Sequence, residues 1–596
     1  MCGIVGCLGF NSAYDVIIKS LSLLEYRGYD SVGIGLFNNG KIEVYKKAGR
    51  TIDLKNELKD KSFNAICGIG HTRWATHGKV NDKNAHPFTS GKVTLVHNGI
   101  IENYKELKEE YKLNSLKSET DSEIVCALLN KFYDGNPLET IKNVSSLLKG
   151  TYALVIMFND LKDTIFASRH ISPLVYGKDN DKFMISSETL PLTNYFKDYY
   201  VLEEDEILMA NKNNINVYDK NLKEVKLKKR ELKEKANNDL GIYKTYLDKE
   251  IHEQPEVIRH SLNNYVKDDL PCFDFSKNDF KKINKIYLVA CGTSYHASLI
   301  IKEEIEKYVK IPAIVEVASE FIYHNHFIDD KTLLIALSQS GETIDTIEAS
   351  KYGKSLGAKL LSLVNVENSE LVHIGDYHLL TLAGREMSVA STKAYTSQIL
   401  VLKLFVYYLA LIKNKMTIDE VKDKVKGLYK LPSIIENIFK KEDEINKLAK
   451  VLVNKEIFMI ARGNDYTNLL EAALKIKELA YLNVNAYMGG EIKHGPIALI
   501  DENTVVIGMS LNKKLNTKII SNLKECESRK AKIILITNKA LNTKQFDKVI
   551  EVPSGNEEVQ EMASIVIFQL IAKDLAILLK RGVDKPRNLA KVVTVE

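Results

Sequence analysis

The residues of this 596-residue chain best suited to chemistry open it: Met1-Cys2-Gly3-Ile4-Val5-Gly6-Cys7. Removal of Met1, usual before a small residue, puts a thiol and a free α-amine on Cys2. A thiol titrates near ~8.5 and an α-amine near ~7.7–8.0, so the amine can draw off the thiol proton and arm it against an amide. The plainer reading is a small apolar residue at the start of a buried strand.

A second group of candidates lies in two loops, Cys291-Gly292-Thr293-Ser294 and Ser338-Gln339-Ser340-Gly341-Glu342-Thr343. Each follows an apolar β-run and opens a helical pattern, which gathers hydroxyls and N–H groups at a positive helix end, a seat for phosphate. Either loop taken singly is an ordinary N-cap. The chain has no G-x-x-x-x-G-K-[ST] and no G-x-G-x-x-G, which disfavours nucleoside triphosphates and dinucleotides. Hydroxyl-lined loops without lysine suit a sugar phosphate.

Three further positions could move protons. Lys475 and Glu478, three apart on one helical face, are an acid–base pair or an ordinary surface ion pair. His494 lies in the turn-rich Gly490-Glu-Ile-Lys-His-Gly-Pro496, where a histidine is more often exposed than catalytic. Lys591 sits in the tail 584–596, which otherwise reads as a frayed terminus. Spacing leaves all three open.

The elements that must hold these groups differ between the two parts of the chain. Residues 2–220 alternate in short strand-like runs, at 32–37, 42–46, 93–97, 152–158 and 164–168, with helices at 13–26, 103–110 and 122–132. That pattern predicts a layered α+β domain. The lysine-rich stretch 221–241 reads as a solvated last strand and linker. Beyond it, buried β-runs alternate with amphipathic helices, and the pattern repeats. The runs beginning at 286, 332 and 358 match those at 457, 504 and 531, at offsets of 171, 172 and 173 residues. A duplicated α/β unit with parallel sheets follows. The loops of the second copy, Arg462-Gly-Asn-Asp465 and Ser510-Leu-Asn-Lys513, have lost most hydroxyls, so one phosphate site per chain is expected, in the first copy.

Composition excludes several classes. Lys and Arg total 83 against 78 for Asp and Glu, a net +5 too weak to argue for nucleic acid or an anionic membrane. Seven cysteines form no C-x-x-C pair, so neither zinc nor a disulfide framework is suggested, and a reducing, cytoplasmic compartment is expected. No leader pattern is seen at the start, and the apolar runs 399–412 and 565–579, broken by charges, fall short of a membrane span.

The motifs in order are CGIVG at 2–6, EYRGYDS at 25–31, HTRWATHG at 71–78, VHNGIIEN at 96–103, SETDSE at 118–123 and KEIHEQP at 249–255. They continue with ACGTS at 290–294, SQSGET at 338–343, VASTKA at 389–394, KHGPIALI at 493–500 and PRNLAKVVTVE at 586–596. In this the chain resembles the isomerizing glutamine–fructose-6-phosphate aminotransferases, the glucosamine-6-phosphate synthases of amino-sugar biosynthesis. The first five motifs alone resemble any N-terminal-nucleophile glutaminase.

The resemblance implies a glutaminase domain over 1–238, layered α/β/β/α, and two sugar-isomerase units over 243–425 and 426–584. It also implies a tail, 585–596, that completes the sugar site. Cys2 would be the nucleophile, with Asn98 and the Gly99 N–H as oxyanion hole. Arg73 would hold the glutamine carboxylate and Asp121 its ammonium, with Thr76 and His77 completing the pocket and Trp74 gating ammonia. Ser294, Ser338, Gln339, Ser340 and Thr343 would bind the sugar phosphate, with Glu386, Val389 and Ser391 lining the pocket. Glu478 would be the base between C1 and C2, with Lys475 beside it, Lys591 the imine-forming lysine and His494 the ring-opening histidine from a neighbouring subunit. The same resemblance implies a homodimer or larger and no metal or organic cofactor. A phosphoribosylamine- or asparagine-forming relative would need a pyrophosphate or ATP loop after residue 240. A sugar-phosphate-binding regulator without activity would show damage at Cys2, Glu478 or Lys591, and all three are present.

Overall fold

The computed structural model describes residues 2–75, 78–179, 181–232, 240–538 and 546–593. It forms two compact units, residues 1–239 with 590–596 and residues 240–589.

The first unit is built on two antiparallel sheets. One has eight strands and carries Gly3–Leu8 in its interior, between Lys182–Ser186 and Cys67–Arg73. The other has six, with Val93–Ile101 between Phe88–Ser90 and Gly150–Phe158. Every residue of Gly3–Leu8 is buried, and strand alternation gives its two faces different partners. Val5 and Cys7 pack with the helix Ala13–Leu24. Ile4 and Leu8 pack between the sheets against Val96, Ala153 and Val155 of the second. The far face of the second sheet, through Leu95, Leu154 and Ile156, is covered by Asp121–Phe132 and Pro137–Ser145. Helix, sheet, sheet and helix therefore form the expected four layers.

The second unit contains two five-stranded sheets, parallel throughout. In chain order, the strands of the first are Lys285–Ala290, Ala313–Val317, Thr332–Ser338, Lys359–Val364 and Tyr377–Leu380. Those of the second are Glu456–Ala461, Val484–Met488, Thr504–Ser510, Lys532–Thr537 and Lys548–Glu551. Both sheets have the order 2-1-3-4-5. The duplication read from the β-runs is real. In such a sheet the strand order reverses beside strand 1, and the crevice beyond the carboxyl ends of strands 1 and 3 takes ligands.

The two halves share one hydrophobic core. Its central helix, Lys393–Ile412, is buried at every residue but Leu411. By length and hydropathy this helix could cross a membrane, yet the window that qualifies is 89% buried inside the unit. Lys403, the charge that interrupts its apolar run, is paired with Glu304 at 2.9 Å in that core.

Candidate active sites

The first site is set by strand register. Gly3 stands opposite Thr72, so Cys2 comes level with the end of Cys67–Arg73. The Trp74 N–H then donates to Cys2 Sγ at 3.2 Å, and Gly3 N–H donates to Thr72 Oγ1 at 3.2 Å. Burial pushes the Cys2 thiol above its ordinary range, while the Trp74 N–H and the Arg73 guanidinium pull it down. Those two groups stabilise a thiolate once it forms.

The strand Val93–Ile101 brings in the next pair. Asn98 Nδ2 donates to Cys2 O at 2.9 Å, and Asn98 Oδ1 lies 3.0 Å from His71 Nε2. The same His71 nitrogen lies 3.0 Å from His97 O, which makes it the protonated one. Burial lowers the His71 imidazole to about 3, so it stays neutral and fixes which way the Asn98 amide faces. Gly99 has φ +136°, and a Cβ there would lie 2.0 Å from Thr151 O. Only glycine fits that turn of the backbone.

Arg73 and Asp121 are both about 4% exposed. Burial lowers Arg73, opposed by the charges of Cys2, Asp30 and Asp121. Asp121 accepts from Ile101 N and Ser122 N, each at 2.9 Å, which anchors the start of its helix to the strand that carries Asn98 and Gly99. The Trp74 ring meets Tyr29 edge-on at 6.0 Å. Thr76 and His77 lie outside the described residues.

The second site joins the two halves of the second unit. From the first half, Ser338 Oγ lies 2.9 Å from Thr343 Oγ1 and accepts from Gly341 N at 3.0 Å, and Ser340 Oγ accepts from Glu342 N at 3.1 Å. Gly341 has φ +70°, and a Cβ there would lie 2.0 Å from Ser369 Oγ, so this loop also demands glycine. Ser294, in the first turn of the helix Gly292–Glu304, accepts from Gln398 Nε2 at 3.0 Å. Gln339 is half-buried beside them.

From the second half comes the helix Asn464–Ala480. Its Lys475 Nζ lies 2.5 Å from Glu478, 3.4 Å from Glu471 and 3.1 Å from Thr293 Oγ1 of the first half. Lys475 and Glu471 are almost fully buried, whereas the Glu478 side chain is 20% exposed. Burial works against the charge on Lys475, but Glu471, Glu478 and Glu386 outweigh it and hold the ammonium above the ordinary lysine range. This pair is no surface ornament. Glu386 accepts from Thr392 N at 2.8 Å, Ala394 N at 3.2 Å and Ser391 Oγ at 2.9 Å, and Val389 N–H donates to Asp584 O at 3.0 Å.

Sequence reading missed Glu471 and His296. Glu471 is wholly buried, accepts from Thr293 Oγ1 at 3.0 Å and lies 2.7 Å from His296 Nδ1. Its place four residues before Lys475, one helical turn away, was the available signal. His494 is exposed in the loop after Val484–Met488, and its ring makes no hydrogen bond or ion pair among the described residues. Lys591 is half-buried and groups with the first unit, so it is not among the residues the second unit itself brings to Glu478.

Comparison with known proteins agrees with this two-part layout. A family model described as a glutamine amidotransferase domain matches residues 71–194, and one described as the SIS domain matches residues 279–408 and again 451–579. Fold and sites thus define an amidotransferase unit followed by a duplicated SIS unit. Over its full length the chain is 39% identical to a Clostridium acetobutylicum protein named glutamine–fructose-6-phosphate aminotransferase [isomerizing], with 100% of both chains covered. It is 40% identical to the Fusobacterium nucleatum protein of the same name, again over 100% of both. The solved C-terminal domain of glucosamine-fructose-6-phosphate aminotransferase from Francisella tularensis is 36% identical, with 58% of this chain and 100% of that one covered and a TM-score of 0.57. The chain belongs to the isomerizing glutamine–fructose-6-phosphate aminotransferase family.

Proposed function

We propose that this enzyme makes glucosamine 6-phosphate and glutamate from fructose 6-phosphate and glutamine. The observation that carries the reading is that one chain holds both reagents: a cysteine seated on the Trp74 N–H, and a Lys475–Glu478 pair whose lysine donates to the Thr293 hydroxyl of the other half. At the first site the Cys2 α-amine takes the thiol proton and Sγ attacks the glutamine amide. Asn98 and the Gly99 N–H meet the oxyanion; the tetrahedral intermediate then expels ammonia, which takes the proton held by the amine, and water releases glutamate from the thioester that remains. Arg73 grips the glutamine carboxylate by a two-pronged contact, Asp121 holds the ammonium, Thr76 and His77 complete the pocket, and Trp74 gates the ammonia route.

At the second site Ser294, Ser338, Gln339, Ser340 and Thr343 hold the phosphate, and Glu386, Val389 and Ser391 line the pocket. Lys591 forms an imine with the ketose, ammonia displaces the lysine, and Glu478 carries a proton between C2 and C1. Lys475 steadies the oxygen next to that transfer. His494 opens the sugar ring from a neighbouring subunit, and its exposed, unengaged ring supports that role. The working form is then a homodimer or larger, with domains at 1–238, 243–425 and 426–584 and a tail at 585–596. Seven free thiols suit a reducing cytoplasm.

Incubation with amide-¹⁵N glutamine and fructose 6-phosphate tests the whole reading. Mass spectrometry should find the label in glucosamine 6-phosphate, and glutamate without amino sugar would refute the synthase. Intact mass should show Met1 removed, since a retained Met1 leaves Cys2 without its base. Cys2→Ala should abolish glutamine use and spare sugar-phosphate isomerisation; loss of both together would count against two separate sites.

A further inference from the structure

The two halves of the second unit share strand order and pairing register, and this gives one buried carboxylate an unexpected counterpart. Lys285 pairs with Thr332 in the first sheet as Glu456 pairs with Thr504 in the second. Counting along each strand, Ser294 corresponds to Asp465, Gln339 to Leu511 and Ser340 to Asn512. In the first half, the Gln339 and Ser340 N–H groups have no acceptor among the described residues. They stand beside the hydroxyls assigned above to phosphate. In the second half the same two donors are taken: Asp465 Oδ2 accepts from Leu511 N at 2.8 Å and from Asn512 N at 3.4 Å.

An acidic residue in the first turn of a helix usually serves that helix's own N–H groups. Asp465 instead reaches across to the loop beyond Thr504–Ser510. It does so while only 2% exposed, and its other oxygen, Oδ1, has no hydrogen-bond partner among the described residues. Leu511 is fully buried, so its N–H would be an orphan donor without an anion or other acceptor at this position.

We propose that Asp465 is a built-in anion that occupies the second half's phosphate seat, and that this residue limits each chain to one sugar-phosphate site. The loss of hydroxyls from the second-half loops is then only part of the cause. The seat itself survives, and Asp465→Ser, which installs the first half's residue, opens it to a phosphate group. This rests on the proposed phosphate role of the Ser294 and Ser338–Thr343 loops.

The test uses the full chain and inorganic phosphate, followed by calorimetric stoichiometry and hydrogen exchange of peptides spanning 338–344 and 510–516. The parent should bind one phosphate per chain, with phosphate slowing exchange in 338–344 and leaving 510–516 unchanged. D465S should bind two per chain. Its 510–516 peptide should exchange faster than the parent's by on the order of tenfold, as for loss of a charge-assisted hydrogen bond, and phosphate should slow it again. D465N keeps an acceptor oxygen and should remain at one. A parent that binds no phosphate in 338–344 refutes the reading of the first-half site. A parent with one site and a D465S variant still at one, or a 510–516 peptide whose exchange phosphate does not slow, overturns the assignment of Asp465. If D465S fails to fold, the parent decides alone: slowing of 510–516 by phosphate would show the seat unoccupied and overturn the proposal.

Discussion

Each candidate residue works only because a second residue fixes its state. Cys2 is half-buried; that burial disfavours its thiolate, and the Trp74 N–H at 3.2 Å offsets part of the cost. Gly99 is held at φ +136° against Thr151 O, so Gly99→Ala must push the backbone away and with it the N–H proposed above to meet the oxyanion. Glutamine hydrolysis should fall by about 10²-fold or more in kcat, while fructose 6-phosphate isomerisation persists in the same sample. At the sugar site Glu478 is the partly exposed carboxylate of the trio around Lys475. Glu478→Gln should cut amino-sugar formation by roughly 10²–10⁴ and leave glutamate release, measured by coupled assay. Product at the parental rate would mean another base acts. Lys475 and Glu478 were legible as a pair three residues apart, but their burial against Thr293 was not, because spacing along a helix says nothing of what packs on it.

Among the elements, the helix Lys393–Ile412 shows most clearly how local and distant requirements meet. Its start is secured by Glu386, seven residues earlier in the chain, which accepts two N–H groups near the positive end of the helix. Glu386→Ala strands those buried donors at about 1–3 kcal/mol, so thermal unfolding should come a few degrees earlier. The KM for fructose 6-phosphate should also rise, since Glu386 is one of the charges that act on Lys475. Glu386→Gln keeps an acceptor and should recover most of the melting temperature but not the KM. The strands expected at 32–37, 42–46, 93–97, 152–158 and 164–168 all form; 152–158, a continuous apolar run, is covered on both faces, with Ala153 and Val155 in one core and Leu154 and Ile156 in another. Such local patterns cannot say which strand lies beside which. Gly3–Leu8 finds its neighbours at Cys67–Arg73 and Lys182–Ser186, far along the chain.

At the scale of the whole molecule, buried carboxylates in the second unit make stability depend on pH. Burial raises Glu561 to about 8, with Asp465 and Glu304 adding to it and Lys403 and the Asn464 amide opposing. Burial likewise raises Asp465 to about 6, with Glu557 adding and the Leu511 and Asn512 N–H groups opposing. Both folded values exceed the unfolded ones near ~4, so the folded state binds more protons across that interval. The contribution of these two groups is fully favourable below about 4 and declines as pH rises through about 6 and then 8. Glu561→Gln should flatten the fall in melting temperature between about pH 5 and 8; an unchanged slope would place the titration elsewhere.

The chain by itself settled its reagents and their grouping. An N-terminal cysteine, two hydroxyl loops after β-runs, a Lys–Glu pair on one helical face and a repeat near 171 residues are all statements about neighbours a few residues apart or about periodicity. Helix caps, turns and alternation obey such local rules, so they can be read directly. Tertiary structure decided the partnerships: Cys2 with Trp74 across 72 residues, Lys475 with Thr293 across 182, His71 behind Asn98 and Asp465 in the second half's anion seat. These depend on strand register and on which faces two halves of a common core turn toward each other. A shift of one residue in either would exchange every partner while leaving the local pattern intact.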